Sequence, residues 1–221
     1  GGTEGTDYTY AGGVLRFILP GSYTVSMAVP GTTTTERIIV AVAAASGAVD
    51  LTLDGVKINL SATASACAFD MAGARVNLFL EGTNALSSGQ GRAGLNCPGG
   101  ATLTIADGPG AVVGRLTAAG SLWGAGIGGN DMNPGGLITI EGGAITAQGG
   151  DYAAGIGGAR LMSGGTFILN DGSVVASGGR QIAKLDHPHE DGDIVEIGHV
   201  GSRSLLVRRS RRLATLFSRF F

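Results

Sequence analysis

Residues 124–150 read GAGIGGNDMNPGGLITIEGGAITAQGG, and residues 153–179 repeat the same frame 29 positions later as AAGIGGARLMSGGTFILNDGSVVASGG. Ala125 matches Ala154, Ile127 matches Ile156, and the glycine pairs at 135–136 and 149–150 match those at 164–165 and 178–179. A unit this short cannot enclose a core alone, so copies must stack and share one. The repeat also disposes of a competing reading of its glycines. Gly124-x-Gly126-x-x-Gly129 has the spelling of a dinucleotide-binding turn, but that turn needs a helix leaving it to face the pyrophosphate. Here NDMNPGG follows, with Pro134, and then the short alternating strand LITI. The glycines belong to a structural repeat.

A wider signal runs through the chain: a short alternating strand, an acid-glycine corner, then another apolar strand. It appears as DLTLDGVKINL at 50–60, VNLFLEGTNAL at 76–86, ATLTIADGPGAVV at 101–113, LITIEGGAIT at 137–146 and FILNDGSVV at 167–175. The corner acids Asp54, Glu81, Asp107, Glu141 and Asp171 are separated by 27, 26, 34 and 30 residues, a period that suits one turn of a parallel β-helix. In the 29-residue alignment Glu141 falls opposite Asn170, so one corner is displaced by a residue. GGVLRFILPGSYTVSM at 12–27 has the same strand, turn, strand form around Pro20-Gly21 and reads as a first coil. The expected fold is therefore all-β, a right-handed parallel β-helix over residues 1–180. With coils about 4.8 Å apart, about six or seven of them make a short rod roughly 30 Å long. A β-sandwich also has short strands and frequent turns, but it does not require the corners to repeat.

Composition agrees with thin strands and tight corners. Glycine supplies 41 of 221 residues, while proline supplies only six and no Gly-X-Y period exists, which excludes collagen. The formal charge of −2 conceals an asymmetry. Residues 1–201 hold nine Lys/Arg against seventeen Asp/Glu, a net −8, and residues 202–221 hold six Arg and no acid. The body repels nucleic acid, so no nucleic-acid partner is expected. The chain starts at Gly1 without Met, and a removed targeting segment is the expectation. The longest apolar run, IIVAVAAASGAV at 38–49, is too short for a bilayer, so no transmembrane segment is expected. Cys67 and Cys97 fit no metal spacing and read as two buried small apolar residues, with a single cross-coil disulfide as the alternative.

From residue 181 the pattern changes. Residues 181–221 form a separate tail or capping segment in this reading, and SRSLLVRRSRRLATLFSRFF at its end spaces Leu206, Leu213, Leu216, Phe217 and Phe220 near helical intervals. A helix covering the open end of the β-helix is expected there, with contact of the basic tail to a membrane surface as the alternative.

YTYAGGVLRFILPGSYTVSM, ACAFDMAGARVNLFLEGTNAL and the paired AGIGG…GG…ITI units resemble the glycine-rich β-helix carbohydrate-binding domains of bacterial cell-surface and secreted proteins. These are similar in fold to polysaccharide lyases without necessarily keeping lyase activity. The resemblance covers about residues 8–179. It implies an extracellular or cell-surface location and binding of plant or host polysaccharide, in some members with calcium. Residues 180–221 do not match it.

A polysaccharide binder holds sugar rings on flat aromatic faces beside planar polar groups. Trp123 and Tyr152 lie 29 residues apart, both precede the AGIGG segments, and they should stack on successive coils with Asp131 and Asp151 nearby. These four are the expected ligand-binding residues, against the alternative of a ring stack packed on a loop. Asp54, Glu81 and Asp107 would bring like charges to coil spacing, and calcium would relieve that repulsion; acid-glycine is also an ordinary choice for a tight turn. No cofactor is required, and calcium is the one candidate. DHPHEDGD at 186–193 has a composition suited to a divalent ion or to a solvated loop, and the sequon at Asn59 sits in an expected strand. No catalytic residue is assigned. Arg92, Arg115 and Asp107 are the trio from which a calcium-dependent lyase site would be assembled, a minor alternative. A structural stalk or adhesin without glycan binding is the main alternative. An ice-binding face would need a threonine ladder, and Thr104 and Thr139 are not continued at Ile168 or Leu169.

Overall fold

A computed structural model describes residues 2–110 and 112–178, together with the backbone of 205–208. The chain winds as a parallel β-solenoid with three faces. The first face carries Val14–Phe17, Arg37–Val40, Phe69–Asp70, Leu95–Asn96, Ile127–Gly128 and Ile156–Gly157. The second carries Gly21–Ser26, Ala48–Asp54, Arg75–Glu81, Thr102–Asp107, Leu137–Ile140 and Thr166–Leu169. The third carries Lys57–Asn59, Thr83–Ser87, Arg115–Ala119, Ala144–Gln148 and Ser173–Ser177. Successive strands on each face pair in parallel in chain order.

Five coils use all three faces, against the expected six or seven. The Pro20-Gly21 segment does form a first coil, but an incomplete one. It supplies strands to two faces, and on the third only the single bridge Thr34↔Ile58. Tyr8–Ala11 folds back antiparallel on Val14–Phe17 and closes that edge of the first face. Of the tail, Leu205–Arg208 is extended and pairs antiparallel with Ser173–Ser177, so these four residues are not helical. The remainder of the expected cap and the acidic stretch at 186–193 lie outside the described residues.

The alternation read in the sequence sets which side chains are enclosed. On the second face Leu51, Leu78, Ile105, Ile140 and Leu169 stack in one inward column, each at most 3% exposed. Full burial of such a side chain contributes about 1.5–3 kcal/mol, and stacking is the only way a coil obtains it. On the third face Ile58, Leu86, Ala118, Ala147 and Ala176 form the equivalent column. Cys67 and Cys97 are buried free thiols, and burial pushes both up to about 12.

The 29-residue shift is the literal register of the last two coils: Leu137 pairs with Thr166, and Ala144 with Ser173. The displaced corner is resolved there by the Asn170 amide, which donates to Glu141 Oε1 at 2.7 Å. The glycines of the repeat are explained by close approach. A Cβ on Gly124 would collide with the Arg92 carbonyl, and one on Gly128 with that of Gly157.

Candidate functional site

The expected binding residues lie at the corner where the third face turns into the first. Ser65, Gly91, Trp123 and Tyr152 each stand four residues ahead of the inward residue that opens the next first-face strand: Phe69, Leu95, Ile127 and Ile156. All four have left-handed backbone, with φ of 56°, 74°, 74° and 68°. Their backbones are stacked, since Gly91 N–H donates to Leu122 C=O at 2.9 Å and Trp123 N–H to Asp151 C=O at 3.0 Å. A left-handed turn costs a non-glycine residue about 1 kcal/mol or more. The upstream coils hold Ser65 and Gly91 at this position; the last two hold large rings.

A second column follows the first face. Met132 and Leu161, 29 residues apart, also have positive φ, 61° and 62°. They are 50% and 76% exposed. The loops that carry them fold back over the corner of the previous coil, with Asp131 N–H donating to Gly91 C=O at 2.8 Å and Arg160 N–H to Trp123 C=O at 3.4 Å. Asp131 and Arg160 are therefore equivalent positions on adjacent coils, and they pair. Arg160 Nε lies 3.2 Å from Asp131 Oδ1 and Nη2 3.5 Å from Oδ2. The guanidinium also covers the Trp123 ring, its Cζ 4.5 Å from the ring centroid. Partial exposure of both charged groups keeps each interaction to about 1 kcal/mol or less.

Thus the structure brings Trp123 and Asp131 together through Arg160, which sequence reasoning did not single out. Trp123 and Tyr152 follow one another along the corner by backbone, but their rings make no contact, and Arg160 occupies the face of Trp123. Tyr152 is 39% exposed. Asp151 is exposed and joins the corner through its carbonyl. The result is a ridge with one exposed tyrosine, a guanidinium paired with a carboxylate, and two exposed apolar side chains. Opposite charges at equivalent positions of the repeat, Asp131 and Arg160, were the signal available in advance.

The acid corners lie elsewhere, between the second and third faces. Asp54 and Glu81 are direct register partners. Asp107 is not in line with them, since it pairs with Leu80. Its carboxylate accepts the Gly114 N–H at 2.8 Å and the Gly143 N–H at 3.0 Å, which ties down the loop 108–114. Among the described residues no three carboxylate, imidazole or thiol groups converge on a common point. Arg115 begins a third-face strand beside that loop. Arg92 sits beyond the other end of the same face and donates from Nε to Ser65 C=O at 3.1 Å. The lyase trio is therefore spread along the coil. Asn59 ends its strand and accepts from the Ser61 N–H and hydroxyl at 3.0 and 2.7 Å.

One polar residue inside the solenoid was not anticipated. Asn84 occupies the inward column of Val56, Leu116, Ile145 and Val174, and is fully buried. Its Oδ1 accepts the Val56 N–H at 2.8 Å, and its Nδ2 donates to the Glu81 and Arg115 carbonyls at 3.0 and 3.1 Å. It pins three successive coils at one corner. No helix among the described residues is long and apolar enough to cross a membrane. Comparison with family models, with curated proteins and with solved structures returns no match.

Proposed function

We propose that this solenoid is a non-catalytic carbohydrate-binding module of a bacterial cell-surface or secreted protein, acting outside the cell and holding polysaccharide along the ridge of Trp123, Tyr152, Asp131 and Asp151. One observation carries the reading. Four large side chains, Trp123, Met132, Tyr152 and Leu161, are kept at left-handed backbone positions on one exposed corner. Glycine would serve those turns at lower cost, so retained bulk points to a surface with a task. An exposed ring on the same ridge as paired planar polar groups is the chemistry that recognises a sugar.

The backbone supplies an unusually clean test. Tyr152→Gly and Trp123→Gly remove the rings while relieving the turn, so loss of binding cannot be ascribed to a strained fold. Retention on a panel of insoluble polysaccharides should fall about tenfold for Tyr152→Gly, the equivalent of one stacked ring. Unchanged retention in both variants would sink the proposal. Running the panel with calcium and with chelator tests whether the Asp54 and Glu81 pair contributes.

The second reading is a structural stalk. Its support is that Arg160 and Asp131 satisfy each other and the Trp123 face is already covered. A folded protein that no polysaccharide retains would favour it.

A further inference from the structure

The first coil leaves an edge unfinished. Tyr23 and Val25 occupy the register positions of Leu51 and Leu53 on the next coil. Those leucines are fully buried, whereas Tyr23 and Val25 are only half-buried. Two cavities of about 440 and 410 Å³ open beside this strand, both lined by Leu15 and Val25. Met27 and Ile58 line the first, and Phe17 and Tyr23 the second. Phe17 and Gly2 lie against the ring of Tyr23, the two ring centroids 4.6 Å apart, and its hydroxyl donates to Leu19 C=O at 3.1 Å. On the first face the same end is closed by the Tyr8–Ala11 hairpin. The second face ends on Gly21–Ser26 itself, whose outer backbone edge pairs with nothing among the described residues.

Exposed edge strands are ordinarily guarded by lysine, proline or a bulge. GSYTVS has no charge and no proline, and its ladder with Ala48–Asp54 is uninterrupted. We propose that this edge is a self-association surface, taking a second copy of the chain by antiparallel pairing of Gly21–Ser26 with its counterpart across a two-fold axis. Directly opposite residues in an antiparallel pair share a face, which limits the register. With Thr24 on the axis, Tyr23 falls opposite Val25 on the inner face and Ser22 opposite Ser26 on the outer. An aromatic against a β-branched side chain is a favourable cross-strand pair, and no like charges meet. Placing Tyr23 on the axis instead would set Ser26 against Pro20, which has no N–H to give. The two-fold also exchanges the flanking faces. The hairpin of each copy then lies over the third face of the other, where the first coil contributes only its Thr34 bridge.

Sedimentation equilibrium of the full chain tests this, with Thr24→Lys, Thr24→Glu and their equimolar mixture. Thr24 is exposed and points outward, so neither substitution touches the core. The expected result is a species of twice the 22.0 kDa chain mass, with a dissociation constant raised about tenfold in each variant by opposed like charges and restored on mixing. A monomeric wild-type chain would overturn the proposal. So would a dimer that neither variant weakens, or one that mixing does not restore.

Discussion

Replacing Asn84 by leucine should destabilise the solenoid although leucine suits every neighbour in its column. The side chain is fully buried and makes three hydrogen bonds to the backbone of flanking turns. Asn84→Leu orphans the Val56 N–H outright and takes one donor from each of the Glu81 and Arg115 carbonyls, the first of which keeps the Gly55 N–H at 3.1 Å. The buried unsatisfied N–H costs about 1–3 kcal/mol and each of the other two lost bonds about 0.5–1 kcal/mol, so the loss is about 3–4 kcal/mol. Burying the leucine returns about 1.5–2 kcal/mol, leaving a net destabilisation of about 2 kcal/mol. Asn84→Asp should be worse at neutral pH, because it keeps the acceptor but turns a charged oxygen toward two carbonyls. Burial raises the folded pKa of that new carboxyl above its unfolded value of about 3.9. Asn84→Asp is therefore most stable below that value, where the protonated acid can donate, and loses stability as pH rises. Urea titrations of the three proteins at neutral and acid pH measure both effects through the shift in midpoint. Wild-type stability in Asn84→Leu would show that these bonds contribute nothing net and would refute the reasoning.

Leu161→Gly should stabilise by about 1 kcal/mol, since φ is 62° and the side chain is 76% exposed, so strain is removed with little burial lost; a lower midpoint in a thermal melt would count against it. Gly124→Ala, harmless in an ordinary turn, should cost about 3 kcal/mol because its methyl group meets the Arg92 backbone, and an unchanged melt would mean the coils can move apart there. The two thiols should resist an aromatic disulfide reagent at pH 8 until the protein is unfolded. Their raised values mean that the unfolded chain loses thiol protons first, so stability is complete below pH of about 8.5 and falls above it, by about 1.4 kcal/mol per pH unit for each thiol. Cys97→Ala should flatten that alkaline slope, and denaturant midpoints between pH 8 and 10 measure it.

The architecture was legible because periodicity needs no knowledge of tertiary contacts. Two 29-residue units with the same glycines fix both the coil length and the register, and Leu137↔Thr166 follows directly. Corners were harder to read. Asp54 and Glu81 align as the spacing suggests, but the loop 108–114 absorbs extra residues, and Asp107 turns inward to bind the Gly114 and Gly143 amides. An acid that seemed to belong to a column of charges is a loop anchor. At the ridge, the spacing placed Trp123 and Tyr152 on successive coils but could not show that Arg160 reaches back over Trp123, because that depends on a loop folding across the previous coil. The left-handed backbone under both rings was equally hidden, since aromatic residues give no sign of it in sequence. Nothing in the sequence marks Asn84, and only the neighbouring carbonyls reveal its role.

The inward column of the third face passes from Ile58 and Leu86 to Ala118, Ala147 and Ala176. Each change from leucine to alanine removes three carbon atoms from the shared interior, about 2 kcal/mol of driving force per coil. In this column the grip between coils is therefore weaker toward the C-terminal end. Under a pulling force applied at its two ends, the rod should peel from that side first, releasing the chain in steps of one coil while the Ile58 and Leu86 region still holds. The aromatic ridge is built on those last coils, so the first part of the rod to yield would also carry the proposed binding surface.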